Sequence, residues 1–143
     1  MSTPQPALNM DKLNALVGQF VNDLGATVHS GMVVIGERLG LYKALASGPM
    51  TPAELAAKTQ TDERYVREWL SSQAAGGYVS YDEKTKKFSL SEEQAFALAN
   101  EDSPAYLPGA FQLAWGSLVA VPRIAESFGS RRTLTSVKKE AMP

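Results

Sequence analysis

Between Thr51 and Leu90 the chain sets two helix starts and a strand–turn–strand pattern in immediate succession, an order that few folds accommodate. Thr51, Pro52 and Glu54 supply an N-cap, a proline in the first turn where no amide hydrogen is missed, and the acid of a capping box. They predict a helix of about two turns, PAELAAKT. A few residues on, Thr61 is the expected cap of the next helix, DERYVREWLSSQAA, with Asp62 and Glu63 placed favourably for its dipole. Val66, Trp69, Leu70 and Gln73/Ala74 recur at intervals of three and four and mark its buried face, and Gly76 and Gly77 end it. YVSYDEKTKKFSL then alternates apolar and polar residues on both sides of a DEKT turn, the pattern of a β-hairpin. Val79 and Tyr81 share one face of its first strand, and Phe88 and Leu90 one face of its second. Ser91 with Glu93 and Gln94 opens another short helix through Ala99.

Upstream, Leu13, Val17, Phe20, Leu24 and Val28 form a narrow apolar helical stripe of the kind that seeks a partner helix. Glycines interrupt the region, so the expectation is a helix through Leu24, a bend near Gly25 to Gly31, and a second helix to Ala46. That second helix, MVVIGERLGLYKALA, is apolar on most sides and reads as the centre of a small core, stopped by Ser47, Gly48 and Pro49. Three helices followed by a hairpin is the winged-helix plan. The expected fold is mainly α with a small β-hairpin: a winged helix-turn-helix flanked by an amphipathic N-terminal helix and an apolar C-terminal helix. Its divisions are a flexible leader over 1–10, an amphipathic dimer arm over 11–30, the winged helix-turn-helix over 31–100, an apolar helix over 101–128, and a basic, disordered tail over 129–143.

A chain of 143 residues with 44% hydrophobic content can bury one real core and is not a disordered protein. A formal net charge of −1 gives no bulk attraction to nucleic acid or anionic membrane. The absence of cysteine excludes disulfides and Cys-ligated zinc and fits a reducing compartment. MSTPQPALNMDKLN lacks the basic start and apolar run of a secretory signal, so the expected location is cytoplasmic. From Pro104 to Pro122 no charge occurs, nearly the length of a spanning helix. Three prolines, two glycines, Gln112 and Ser117 in that stretch make a buried or partner-facing helix the expectation instead of a membrane span.

Arg64 and Arg67 on the helix after the turn, with Lys84, Lys86 and Lys87 at the hairpin tip, are the residues a DNA-binding regulator would use. Glu63 stands four before Arg67 and Arg64 four before Glu68, so the same helix can neutralise both arginines. A DNA reader needs free cations for phosphates. Over 31–100 eight lysines and arginines face nine acids, and the lysine-rich tip is explained as well by a solvated turn. DNA reading is therefore the alternative and not the expectation.

Other chemistry finds little to build on. His29 is the only histidine, so no His cluster for a metal and no two-histidine relay is available; it reads as a partly buried structural residue beside Val28 and Met32. Phe111 and Trp115, four apart, are core or dimer contacts first and walls of a ligand pocket second, the basis of a weaker ligand-sensing reading. Glu92 and Glu93 are adjacent and point apart, a solvated helix start and not a catalytic pair. No catalytic, cofactor-binding or metal-ligating residue is assigned.

The run MVVIGERLGLYKALASGPMTPAELAAKTQTDERYVREWLSSQAAGGYVSYDEKTKKFSL, followed by LANEDSPAYLPGAFQ, closely resembles the N-terminal region of S-adenosylmethionine-dependent methyltransferases related in layout to small-molecule O-methyltransferases. The likeness covers roughly residues 28 to 128, and TDERYVREWL with GGYV is its most specific part. The resemblance implies a winged helix that dimerises and covers the substrate pocket of a Rossmann-like domain, with His29, Met32, Phe111 and Trp115 as pocket candidates. The catalytic half does not follow: no GxGxxG or GxGxG occurs, and the eleven glycines are scattered. The expectation is thus a shortened, non-catalytic module with no cofactor of its own, S-adenosylmethionine belonging to the full-length family. Its expected partner is a second copy or a full-length relative, with a small-molecule substrate only where a catalytic domain is present. From Arg131 onward the tail carries a charge of +3, compatible with an unrelated ending and equally with a natural disordered tail.

Overall fold

The computed structural model describes residues 8–129. Helix α1 runs from Met10 to Arg38, and its last turns enter the core through Val33, Val34 and Gly36. The expected bend at Gly25 to Gly31 is absent: α1 is continuous over 29 residues. A glycine costs a helix only up to ~1 kcal/mol and leaves its backbone hydrogen bonds intact, so the four in α1, without a proline, do not break a helix docked at one end. The break falls at Gly40, whose φ of 66° lies in the left-handed region and turns the chain into α2 (Leu41–Leu45).

Thr51 caps α3 (Pro52–Thr59) in the reciprocal box expected of it, its side chain accepting from the Glu54 amide while Glu54 accepts from the Thr51 amide. Those bonds, the backbone N–H of Thr51 first and then Lys87, hold the Glu54 carboxyl below its ordinary range. Gln60 ends α3 at a left-handed φ of 56°. The turn to α4 (Glu63–Ala75) is then so short that Asp62, and not Thr61, becomes the N-cap, accepting from the Arg64 amide at 2.9 Å. The Thr61 hydroxyl instead meets that of Thr59 at 2.8 Å.

Helix α4 buries Val66, Trp69, Leu70 and Gln73, the face its spacing predicts. Trp69 stacks edge-on against Tyr42 at 5.0 Å and donates its indole N–H to the Met32 carbonyl at 2.8 Å. Tyr42 donates its hydroxyl to the Gln73 side-chain carbonyl, and burial pushes the Tyr42 phenol well above its ordinary pKa, fixing it as a donor. Leu41, Leu45, Leu55, Val79, Phe88 and Leu98 complete the same core.

The wing pairs β1 (Ser80–Asp82) with β2 (Lys87–Ser89) antiparallel, Tyr81 opposite Phe88. Asp82 shapes its tip by accepting from the Lys84 amide at 2.9 Å and the Thr85 hydroxyl at 2.8 Å. Met50 and Phe88 exchange backbone bonds at 2.9 and 2.8 Å, stitching β2 to the loop before α3. Ser91 and Gln94 cap α5 (Glu92–Leu98) in a second reciprocal box.

The apolar C-terminal stretch is two helices and not one spanning 101–128. Prolines 104 and 108 delay the start, α6 occupies Pro108–Val119, and α7 occupies Val121–Gly129 after a break at Ala120. Pro122 has no N–H to continue the ladder and suits only a first turn. Among the described residues no helix is long and apolar enough to cross a membrane. The basic tail and the first seven residues of the leader lie outside the described residues.

Candidate functional site

Two surfaces gather the residues singled out by the sequence. The first is the seam where α6 lies on α1. His29 lies within the continuous α1, where a bend was expected, its ring edge-on to Tyr78 at 4.7 Å, and Tyr78 in turn meets Phe111 at 6.2 Å. Gly76 makes this possible: a Cβ there would stand 2.6 Å from the imidazole Cε1. His29 Nε2 is shielded from solvent without a hydrogen-bond partner, and burial lowers the imidazole pKa from 6.5. Met32 and Phe111 are half-buried against the core, so packing is their first duty. Trp115 is separate from that trio: it is 45% exposed and lies under the Arg38 guanidinium at 4.9 Å. Gln112 donates to Glu37 at 2.6 Å and fixes the same crossing. Tyr78, Gly76, Glu37, Arg38 and Gln112 were not picked as site residues. Glu37 and Arg38 carried a signal, being charges in an otherwise apolar helix, while the role of Tyr78 depends on a contact across 49 residues to His29, which no local pattern encodes.

The second surface is α4 with the wing. Glu63 does pair with Arg67, as its spacing predicts. Arg64 and Glu68, at the same spacing, form no ion pair. Lys87 joins Glu54 at 3.2 Å, so the helix and wing cations are only partly neutralised.

Beyond both, large apolar side chains stand open. From Met10 to Val28 seven of them on α1 are half-exposed or more, including four of the five stripe residues; Leu13 alone is half-buried. On α7, Val121, Ile124 and Phe128 follow helical spacing on one face, and Phe128 is 89% exposed. Such an extent of apolar surface is unusual for a monomer.

Helix order, crossing pattern and hairpin together define a winged helix-turn-helix domain, with long apolar helices attached on either side. Residues 27–100 carry the signature of the Rv2258c-like winged HTH domain, and the chain belongs to that family. Its structure is similar to that of CalO1, a methyltransferase of calicheamicin biosynthesis solved with SAH bound, at 27% identity and a TM-score of 0.56, covering 72% of this chain and 29% of that one. It is also similar to the mitomycin 7-O-methyltransferase MmcR at 23% identity, TM-score 0.59, over 79% of this chain and 35% of that one. Human N-acetylserotonin methyltransferase matches at 17% identity, TM-score 0.54, over 97% of this chain and 43% of its own. The two below 25% identity speak to fold alone. In each case the chain spans less than half of the matched protein, and what matches is the winged-helix part. No curated protein sequence matches the chain.

Proposed function

We propose that the chain is a dimerisation and substrate-covering module that performs no methyl transfer by itself. The observation that carries this reading is the open apolar face of α1. Its seven exposed side chains, at roughly 100 Å² each, approach the ~800 Å² per partner of a standard specific interface. A second copy of this chain satisfies that face by two-fold symmetry, and an intact relative with the same arm would do so equally. The seam of His29, Met32 and Phe111, with Trp115 set apart under Arg38, is the apolar and aromatic surface that would look onto a substrate held by a catalytic domain.

Sedimentation of the purified chain tests the first half. The native sequence should run as a dimer at micromolar concentration and the Phe20→Asp variant as a monomer with the same helical content. A native monomer would end the dimer reading. Calorimetry with S-adenosylmethionine tests the second half, and tight binding to these 143 residues would defeat it.

A further inference from the structure

The five cations that a DNA-reading winged helix would bring to a duplex do not act as a set here. Lys87 is held by Glu54 at 3.2 Å, and Arg64 and Lys84 are not among the lining of the groove between α4 and the wing. Arg67 and Lys86 do converge on that groove. It has a volume of about 540 Å³, and Pro52, Ser71, Ala74, Tyr81 and Phe88 make up the rest of its lining. That volume is in the range of small-molecule sites, roughly 300–1,000 Å³.

Its lining is mostly apolar. Phe88 is buried, and Tyr81 lies tilted on it at 4.7 Å with about half of its own surface open to the groove and solvent. Glu63 steadies Arg67 through one side of a guanidinium that has five donors in all, leaving others to face a ligand. Lys86 makes no ion pair with any described residue. Its backbone stands at a φ of 57°, a left-handed setting that glycine adopts freely and side-chain-bearing residues rarely do. A glycine would suit the hairpin better, yet a lysine occupies the position and is part of the groove's lining.

We propose that this groove binds a small aromatic carboxylate, its ring against Tyr81 and Phe88 and its carboxylate between Arg67 and Lys86. Two aromatic side chains in the lining suit an aromatic body, and an arginine and a lysine in the same lining suit a carboxylate. A duplex is disfavoured because only two of the five cations converge and Glu68 is on the same helix.

Calorimetric titration of the whole chain with benzoate tests the proposal, with benzamide, inorganic phosphate and a short DNA duplex as parallel probes. Benzoate should saturate at about millimolar concentration, with benzamide and phosphate each about ten-fold weaker. Lys86→Gly removes the charge while giving the left-handed backbone its preferred residue, so the variant should melt no lower than the native chain and bind benzoate about ten-fold more weakly. Arg67→Gln should weaken benzoate similarly. The proposal is overturned by no saturable benzoate binding, by equal affinity for benzamide or phosphate, by undiminished binding to Lys86→Gly, or by salt-dependent displacement of benzoate by the duplex.

Discussion

At Gly36 a methyl group has no room: a Cβ would enter the Trp69 ring and stand 2.8 Å from the Tyr42 ring. Gly18, in the same helix, has nothing within 4 Å of that position. The same substitution should therefore have opposite signs at the two sites. Gly36→Ala should destabilise by about 1–3 kcal/mol through overpacking, and Gly18→Ala should stabilise by about 0.5–1 kcal/mol through helix propensity. Urea denaturation of both variants reads the difference directly. Nothing in the spelling of the two glycines distinguishes them; the distinction arises from which helix crosses there. His29 offers a second residue-scale prediction. Its pKa is lowered by burial, so the folded state prefers the neutral ring. The stability associated with it is fully present above the unfolded value of about 6.5 and declines as the pH falls below it. Denaturation midpoints at about pH 7.5 and pH 5.5 should differ more for the native chain than for His29→Phe, and an identical pH response would refute the assignment.

Among the elements, those closed by local chemistry were legible and those limited by packing were not. Both capping boxes, the buried face of α4, the hairpin and α5 follow from side chains within a few positions of one another. The N-cap of α4 moved by one residue because the α3–α4 turn closed through Gln60, a tertiary requirement on an ordinary residue. The continuity of α1 is not legible from glycine penalties alone, because Val33, Val34 and Gly36 anchor the helix at one end. Gly25 lies along this helix with open space where its Cβ would be, so nothing in its own chain demands it. If α1 arms cross closely between two copies, Gly25→Ala should strengthen the helix yet weaken association by about ten-fold, since a backbone contact there has no space for a methyl. Sedimentation equilibrium measures this, and unchanged association would remove Gly25 from the interface.

At the scale of the whole molecule, the dimer proposed on the open face of α1 would make stability depend on association as well as on the chain's own core. A proposed dimer should melt at a temperature that rises with protein concentration, as mass action requires, whereas Phe20→Asp should melt at one temperature throughout. Differential scanning calorimetry over a hundred-fold concentration range decides between them. Sequence alone determined both capping boxes, the buried face of α4, the hairpin and the near-neutral charge of the unit, because each depends on neighbours within a turn or two or on composition. The tertiary structure decided which residues meet: His29 with Tyr78 and Phe111, Trp115 with Arg38, Lys87 with Glu54, and Arg67 with Lys86 across a groove. Those meetings join residues far apart in the chain, and their geometry is set by how α1, α4, α6 and the wing pack, which local periodicity does not encode.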